Sequence, residues 1–359
     1  MFDCQEMRSS LDGFSKNLES KAFQECIPLK GTFELTARCN MDCKMCYVHL
    51  SQEEIQKIGR ELTNEEWLRI AKEAKEAGTL YLILTGGEVF VRPGFRELYE
   101  ALSDMGFLIQ IYSNGYAVDE EVISWLKQRP PMALRFTLYG ASNETYKAVC
   151  GVKDGYDRVV HAIDLVKDAG IPFYTVGTII KENVNDLEKI YRLAGEKKFF
   201  FRHSIGIVPA VRGAKQDVVS HRIMLEDLSK EELHGSEKVQ RLYPKMNHIL
   251  DCCGNYRTSY WISWNGEMLL CAFMDEPKVS LLKTDFILAW KQLNKKLDEI
   301  LTPKECLMCK YEGFCQRCPG ILAAECGKTN EITDEFCQRA RMLYEYLYDE
   351  EIDNEKEIY

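Results

Sequence analysis

The 359-residue chain lacks any long apolar run. No stretch approaches the roughly 20 consecutive apolar residues that a transmembrane helix needs. Residues 1–17 mix charged and small side chains without an apolar segment, so they have the pattern of neither a signal peptide nor a transit peptide. These absences predict no membrane association and a cytoplasmic location.

An excess of basic residues is also missing. The 46 Lys and Arg are outnumbered by 56 Asp and Glu, which gives a formal net charge of −10. Proteins that bind nucleic acid cluster Lys and Arg to neutralise phosphates. We therefore predict that the chain does not bind nucleic acid.

Cysteine, by contrast, is abundant, with 15 residues. Disulfides are rare in a reducing cytoplasm, so metal binding explains these thiols better. Three of them stand close together in "CNMDCKMCY", Cys39 to Tyr47, directly after an apolar, strand-like segment. This loop is the first candidate site.

Six short strand-like segments alternate with longer helical ones. One of the helical segments starts with Thr63 and Glu66 at the spacing of a capping box. Strands separated by helices pair in parallel through right-handed crossovers, so the sequence predicts an α/β fold with a partial, TIM-like (β/α)6 barrel. Chemistry in such barrels gathers at the C-terminal ends of the strands. The predicted strands are 32–35, 80–84, 107–112, 134–139, 173–180 and 199–208.

Changes in composition divide the chain into segments. A charged, helix-rich connector follows the barrel, and a small cysteine-rich domain with a hairpin at Asn265-Gly266 follows the connector. The predicted segments are an N-terminal extension 1–30, the barrel 31–215, the connector 216–250, the cysteine-rich domain 251–340 and an acidic helix or tail 341–359.

The chemistry of the first cysteine loop narrows the choice of metal. Three thiolates can bind three irons of a 4Fe-4S cluster and leave the fourth iron open to a small molecule. Structural zinc takes four protein ligands. No fourth Cys or His lies inside the loop, and His49 is badly spaced.

The CxxxCxxC spacing of Cys39, Cys43 and Cys46 resembles the radical S-adenosylmethionine (radical SAM) superfamily, and so does "TGGE" after the second predicted strand. The resemblance implies a 4Fe-4S cluster on these cysteines, with S-adenosylmethionine on its open iron. It assigns the Gly-Gly-Glu segment to the methionyl amine and the "SNG" segment to the ribose, although Asn-Gly also forms simple turns. The residues expected at the cofactor are Tyr47, Gly86, Gly87, Glu88, Ser113, Asn114, Thr137 and Arg212.

One position departs from the family pattern. Related enzymes often carry Arg-Gly after the fourth strand, where the Arg can face the methionyl carboxylate, but here the pair is Cys150-Gly151. Lys147, Lys153 and Arg212 are the alternatives. We favour Arg212 because a guanidinium fork suits a carboxylate.

The C-terminal cysteines resemble the SPASM domain, which carries two auxiliary 4Fe-4S clusters. The resemblance assigns four ligands to an outer cluster and three to an inner one. The outer set is Cys306, Cys309, Cys315 and Cys337, and the inner set is Cys253, Cys271 and Cys318.

Two departures leave alternatives open for this domain. Cys315 and Cys318 are separated by two residues where the common pattern has three, and Cys252 adjoins Cys253. Cys252 is the fourth inner ligand, or the inner cluster has an open iron for substrate, or the domain holds a single cluster. A zinc ribbon built from the CxxC pairs that start at Cys306 and Cys315 is a further alternative.

The resemblance implies reductive cleavage of S-adenosylmethionine to a 5′-deoxyadenosyl radical, which takes hydrogen from a peptide or protein. An oxidative thioether or carbon–carbon crosslink of a ribosomal peptide is the leading hypothesis. We expect a flavodoxin- or ferredoxin-type electron donor. With only about thirty residues before the first strand, we also expect a separate leader-binding protein or a peptide that docks in the barrel.

Three alternatives remain for the function. Formylglycine formation in sulfatases is disfavoured because Ala272 stands where those enzymes typically have Asp, although Asp275 is close. The second alternative is radical modification of a small molecule or cofactor precursor. The third, a non-catalytic metal-binding module, is disfavoured by the motifs at the barrel mouth.

Overall fold

A computed structural model of the protein describes residues 4–223, 248–315, 317–334, 336–338, 340–342 and 344–345. For residues 4–14 and for Cys252, only the backbone is described. Most of the predicted connector 216–250 and of the predicted tail 341–359 lies outside these residues, so both remain predictions.

Six parallel strands form the first part of the sheet and lie side by side in sequence order. Every predicted strand overlaps an observed one, which confirms the α/β fold with six parallel strands. The sixth is shorter than the predicted 199–208. The strands are β1 Lys30–Glu34, β2 Tyr81–Thr85, β3 Leu108–Ser113, β4 Ala133–Thr137, β5 Phe173–Thr178 and β6 Phe201–Ser204.

Helices connect the strands and contribute to one large apolar core. No helix in the described parts of the chain is long and apolar enough to cross a membrane. The helices are α1 Cys4–Glu25, α2 Gln52–Ile58, α3 Asn64–Glu76, α4 Phe95–Asp104, α5 Glu120–Leu126, α6 Asn143–Cys150, α7 Gly155–Asp168, α8 Leu187–Lys197, α9 Phe286–Asp298 and α10 Pro319–Cys326.

Helix α3 shows how local sequence supports the site. The predicted capping box is confirmed: Thr63 Oγ1 accepts from the Glu66 N–H at 3.3 Å, and a Glu66 carboxylate oxygen accepts from the Thr63 N–H at 2.9 Å. The helix buries Trp67, whose ring centroid lies 4.8 Å from that of Phe33 on β1. This packing holds the strand that leads into the cysteine loop.

Alternation along the strands separates two faces of the sheet. Residues such as Leu84, Ile111 and Phe136 are fully buried in the core. The residues that alternate with them along each strand lie on the opposite, inner face, where most are partly exposed. Strand register places one residue from each of five strands side by side on that face. We name this set the inner row, and its members are Glu34, Thr85, Tyr112, Arg135 and Tyr174.

A C-terminal hairpin extends the same sheet. Strand β7, Ser259–Ile262, runs parallel to β1, and β8, Glu267–Leu269, pairs antiparallel with β7. The predicted turn is confirmed, with Gly266 at φ +87°. A short strand β9, Val279–Ser280, completes the sheet. The sheet therefore continues from the barrel into the cysteine-rich segment.

Candidate active site

The three-cysteine loop follows β1 and is fixed to the end of α6. The Asp42 N–H donates to the Cys150 carbonyl at 2.9 Å, and the Lys44 N–H donates to the Val149 carbonyl at 3.0 Å. The last carbonyls of a helix lack partners within it, so the loop satisfies groups that α6 leaves open. The protein backbone therefore defines the shape of this loop.

The thiols of Cys39, Cys43 and Cys46 lie close enough for their charges to interact. The charges of Cys43 and Cys46 raise the pKa of Cys39, and the charge of Cys43 raises the pKa of Cys46. Burial raises the pKa of Cys39 and of Cys46 to about 12. A hydrogen bond with Cys150, together with burial, raises the pKa of Cys43. Such thiols ionise when a bound cation compensates their charge.

The three thiols of this loop are the type of ligand that an iron-sulfur cluster takes. Among the described residues, no three His, Cys, Asp or Glu side chains converge on one ion position. A cubane cluster is larger than an ion and takes its thiolates on separate corners. Cys39, Cys43 and Cys46 supply the three thiolates that such a cluster would need.

The Gly-Gly-Glu segment lies directly against the start of the cysteine loop. The Gly87 N–H donates to the Thr36 carbonyl at 2.8 Å, and the Glu88 N–H donates to the Arg38 carbonyl at 2.9 Å. A Cβ at Gly86 would lie 2.6 Å from the Thr36 oxygen, and one at Gly87 would lie 2.3 Å from the Arg38 oxygen. These glycines allow two strand ends to touch, a reason that the sequence alone did not supply.

Glu88 is buried and joins the ends of β2 and β3. One carboxylate oxygen accepts from the Phe90 N–H at 3.1 Å and the Ser113 hydroxyl at 2.9 Å, and the other accepts from the Asn114 N–H at 2.7 Å. Burial raises the pKa of Glu88 to about 7, although these hydrogen bonds oppose the rise. Both of its carboxylate oxygens thus already accept hydrogen bonds from the protein. Its predicted role at the methionyl amine stays a prediction.

The Ser-Asn segment connects Glu88 to the cysteine loop. The Asn114 amide donates to the Asn40 side-chain oxygen at 2.8 Å and lies 3.8 Å from the Cys39 sulfur. Thr137 is the last residue of β4 and is partly exposed. The ends of β1, β2 and β3 therefore form one contiguous site around the three thiols.

Arg212, the residue predicted to face the cofactor carboxylate, is already paired. Both terminal nitrogens of its guanidinium donate to Glu34, one of them at 3.1 Å, and the Trp261 indole N–H donates to Glu34 at 3.0 Å. Burial lowers the pKa of Arg212, but the charge and hydrogen bonding of Glu34, together with the charges of Tyr47 and Asp275, outweigh it and raise the pKa overall. Arg212 would have to break its hydrogen bonds to Glu34 before both terminal nitrogens could bind a cofactor carboxylate. Its assignment to the cofactor therefore also stays a prediction.

Tyr47 lies between these groups and the C-terminal segment. Its ring centroid is 5.2 Å from that of Phe273, and its backbone carbonyl accepts from the Val211 N–H at 2.8 Å. Burial raises the pKa of Tyr47, and both Cys46 and Cys271 add to the rise. Tyr47 therefore lies close to both Cys46 of the first cysteine loop and Cys271 of the C-terminal segment.

The thiols of the predicted inner set are brought together. Burial raises the pKa of Cys271 to about 12, and the charges of Cys318 and Cys253 raise it further. Gly320 at the start of α10 packs against this group, since a Cβ there would lie 3.3 Å from the Cys271 sulfur. The Cys252 side chain lies outside the described residues, so its proposed role as a fourth ligand remains a prediction.

The thiols of the predicted outer set also lie together. Burial raises the pKa of Cys315 to about 12, and charges on Cys306, Cys337 and Cys309 contribute. Arg317 is buried beside them, donates to the Cys306 carbonyl at 3.0 Å and lowers the pKa of both Cys306 and Cys315 against the effect of burial.

Arg317, Tyr139 and Cys150 are site residues that sequence reasoning missed. Tyr139 is buried near all three loop thiols, and Cys150 hydrogen-bonds with Cys43. The signals in the sequence were the position of Arg317 inside a CxxC pair, that of Tyr139 two residues after Thr137, and the Cys150-Gly151 pair where related enzymes often carry Arg-Gly.

Residues 33–194 match the model of the Radical SAM superfamily. This range starts within β1, ends within α8 and includes both the cysteine loop and the Gly-Gly-Glu segment. Residues 33–194 form a radical SAM domain. A radical SAM domain binds S-adenosylmethionine together with a 4Fe-4S cluster, which agrees with the thiols that β1 presents.

Two curated proteins are similar to this chain over stretches longer than residues 33–194. An AdoMet-dependent heme synthase of Methanosarcina barkeri is 30% identical over 189 residues, which are 52% of this chain and 53% of that protein. The antilisterial bacteriocin subtilosin biosynthesis protein AlbA of Bacillus subtilis is 25% identical over 312 residues, which are 81% of this chain and 67% of that protein. The chain thus spans about half of the first relative and about two thirds of the second.

The crystal structure of Streptococcus suis SuiB bound to precursor peptide SuiA shares the fold. It matches with a TM-score of 0.64 at 16% identity, covering 90% of this chain and 79% of SuiB. The match extends beyond the radical SAM domain into the cysteine-rich segment. At this identity the likeness shows a common fold and no more.

Proposed function

We propose that this protein is a radical SAM enzyme that oxidatively modifies a peptide or protein. The observation that carries the proposal is the presence of three cysteine groups in one fold, the loop after β1 and the two C-terminal sets. When bound, the cluster and S-adenosylmethionine supply a 5′-deoxyadenosyl radical that takes hydrogen from a substrate C–H bond. In this proposal Cys39, Cys43 and Cys46 hold the cluster.

The remaining residues of the site position the cofactor and exclude water. We assign the cofactor to the surface formed by the ends of β2, β3 and β4, and we keep Arg212 as a candidate for its carboxylate. The inward-facing aromatic side chains limit side reactions of a radical by excluding water. The cofactor residues in this proposal are Tyr47, Gly86, Gly87, Glu88, Ser113, Asn114, Thr137 and Arg212.

An oxidative crosslink requires the substrate to lose an electron as well as hydrogen. We propose that the two C-terminal cysteine sets bind auxiliary 4Fe-4S clusters that accept this electron. The grouping of the thiols supports this proposal, because Cys318 lies near Cys253 and Cys271, and Cys337 lies near Cys306 and Cys315. The metal ligands in the proposal are Cys253, Cys271 and Cys318, with Cys252 as a candidate, and Cys306, Cys309, Cys315 and Cys337.

The names of the similar proteins favour a peptide as substrate. AlbA is named for bacteriocin biosynthesis, and SuiB was crystallised with a precursor peptide. A thioether or carbon–carbon crosslink is the modification we propose. A flavodoxin- or ferredoxin-type protein would supply electrons, and a separate leader-binding protein would assist if the peptide does not dock in the barrel.

A small molecule or cofactor precursor is the second candidate substrate. It is favoured by the heme synthase, which has the highest identity among the relatives described above. Formylglycine formation has less support. Ala272 replaces the usual Asp, and Asp275, three residues farther along the chain, already accepts a hydrogen bond from the backbone N–H of Arg212 at 3.0 Å.

Anaerobic reconstitution tests the proposed function. We expect about 12 iron atoms per chain if all three clusters form, and about 4 if only the radical SAM cluster forms. The reduced protein should convert S-adenosylmethionine to 5′-deoxyadenosine. Binding of zinc without this conversion would refute the enzyme assignment.

The substrate requires a separate test. The reconstituted enzyme can be incubated with any small peptide encoded beside its gene. A crosslink removes the mass of two hydrogen atoms, which mass spectrometry detects. An unchanged peptide together with a modified small molecule would favour the second candidate.

A further inference from the structure

The inner face of the barrel carries a positive charge that the proposed chemistry does not use. Arg135 lies on β4 in the inner row, with its guanidinium carbon 4.3 Å from the centroid of the Tyr112 ring. Its Nε is buried and has no hydrogen-bond partner among the described residues. In the same part of the chain, no carboxylate forms an ion pair with Arg135.

The neighbours of Arg135 add a second cation and two phenols. Tyr174 is its register partner on β5, and Tyr112 is its partner on β3. Tyr174 interacts with Tyr112, and the charges of both Arg135 and Arg202 act on it. Arg202 lies on the edge strand β6 in register with Val176 and Thr137, one layer nearer the strand ends than Arg135. It is exposed and forms no ion pair within the described residues.

The far end of the inner row has a different arrangement. Glu34 is buried there and fully engaged by Arg212 and by the Trp261 indole. Glu34 thus neutralises Arg212, whereas no carboxylate among the described residues forms an ion pair with Arg135 or Arg202. The positive charge left over on the inner face is concentrated at β4 and β6.

The position of Arg135 separates it from the expected cofactor residues. Thr137, which ends β4, is two residues farther along the same face, or roughly 6.6 Å at the usual rise of a strand. Arg135 is therefore one layer deeper in the barrel than the strand ends that carry the cysteine loop and the Ser-Asn segment. A group bound at Arg135 would lie beneath the cofactor surface.

We propose that Arg135, with Tyr112, Tyr174 and Arg202, binds a carboxylate on an acidic side chain of the peptide substrate. A guanidinium stacked on an aromatic ring keeps its edge free for two parallel hydrogen bonds to a carboxylate. The phenols can donate further hydrogen bonds to the same group. The inference that the carboxylate belongs to a peptide rests on the proposed function. The inference that a carboxylate binds here rests on the side chains of the inner face.

The test uses the reconstituted full-length enzyme and two blocked amino acids. N-acetyl-glutamate methylamide carries the carboxylate, and N-acetyl-glutamine methylamide is its neutral isostere. Equilibrium dialysis with labelled probes measures binding to the wild type and to Arg135→Met. We expect the wild type to bind the acidic probe about tenfold or more tightly than the neutral one, and Arg135→Met to lose this preference.

Arg158→Met is the matched control. Arg158 also stacks on a tyrosine, with its guanidinium carbon 4.6 Å from the Tyr116 ring centroid, but it belongs to helix α7 and pairs with Asp154. This variant should keep the preference for the acidic probe. Absence of a preference in the wild type, or a preference that survives Arg135→Met, would overturn the proposal.

Two further measurements identify the source of the carboxylate. Arg135→Met should bind S-adenosylmethionine and form 5′-deoxyadenosine as the wild type does, so weakened cofactor binding would assign Arg135 to the cofactor and overturn the proposal. Glutarate should bind more weakly than the acidic peptide probe, and tighter binding of glutarate would overturn the peptide source. A wild type that forms no 5′-deoxyadenosine would refute the proposed function but leave the carboxylate result unaffected.

Discussion

At the scale of single residues, the buried carboxyl group of Glu88 makes the free energy of unfolding depend on pH. Burial raises its pKa from 4.5 to about 7. The native state therefore keeps this proton to a higher pH than the unfolded chain does. The contribution of Glu88 to the free energy of unfolding is fully present below the unfolded pKa and is lost as the pH rises through about 7.

Glu88→Gln makes this side chain permanently neutral and should remove that loss. We expect the free energy of unfolding of the wild type, relative to the variant, to fall between about pH 5 and about pH 8. Anaerobic denaturant titrations measure this difference. Glu66→Gln is the control, because hydrogen bonding to Arg60 lowers the pKa of Glu66 to about 2 and its effect should be constant in this range. A constant difference for Glu88→Gln would contradict the account.

Arg317 provides a second prediction for single residues. Its buried guanidinium lies beside Cys306 and Cys315 and would offset the negative charge of thiolates in the proposed outer cluster. Arg317→Met should therefore lose iron from the outer set, about 4 atoms per chain, when the reconstituted protein is dialysed against a chelator.

The control for this prediction is Arg341→Met, which removes an exposed charge near Cys337. We expect it to retain its iron under the same dialysis. Equal iron in Arg317→Met and the wild type would show that the outer set does not depend on the buried charge.

Sequence reasoning named the thiols but not the residues around them. The cysteines form patterns of short spacing, and a spacing of two or three residues is visible without a structure. The contact between Cys43 and Cys150, or between Tyr139 and the loop, joins segments about a hundred residues apart and depends on how α6 packs. Such contacts leave no local pattern.

At the scale of elements, the pairing of β1 with β7 controls how the C-terminal segment meets the barrel. Gly31 on β1 faces Tyr260 on β7, and a Cβ at Gly31 would lie 2.3 Å from the Tyr260 hydroxyl oxygen. Tyr260 is fully buried and hydrogen-bonds with Thr79 at 3.1 Å. The two strands can pair closely because residue 31 has no side chain.

Gly31→Ala should push the Tyr260 ring out of its site. We expect a loss of about 1–3 kcal/mol in the free energy of unfolding, measured by denaturant titration. Gly195→Ala is the matched control, because Gly195 lies in α8 with no atom near its missing Cβ. That substitution should stabilise the protein by about 0.5–1 kcal/mol. Similar effects of the two substitutions would argue against the close contact.

The elements themselves were largely predictable. Apolar runs marked all six barrel strands, and capping residues marked the start of α3. The hairpin turn was predicted as well, but the parallel partner of β7 was not, because pairing with β1 joins residues more than two hundred positions apart. Local patterns specify a turn and its antiparallel strand, and they carry no information about a distant neighbour.

At the scale of the whole molecule, one sheet connects the radical SAM domain to the C-terminal cysteines. The ends of β1 to β3 surround the first loop, and β7 to β9 carry the sheet towards Cys271. Tyr47 lies between the two regions, against Phe273. This arrangement supports a single active site in which hydrogen removal and electron transfer involve neighbouring groups.

The central claim is that the loop after β1 supports reductive cleavage of S-adenosylmethionine. The most direct measurement is 5′-deoxyadenosine formation by reconstituted, reduced Cys43→Ala, with Cys26→Ala as control because Cys26 lies outside all three cysteine sets. We predict no 5′-deoxyadenosine from Cys43→Ala although it keeps its C-terminal iron, and wild-type formation by Cys26→Ala. Continued cleavage of S-adenosylmethionine by Cys43→Ala would contradict the claim.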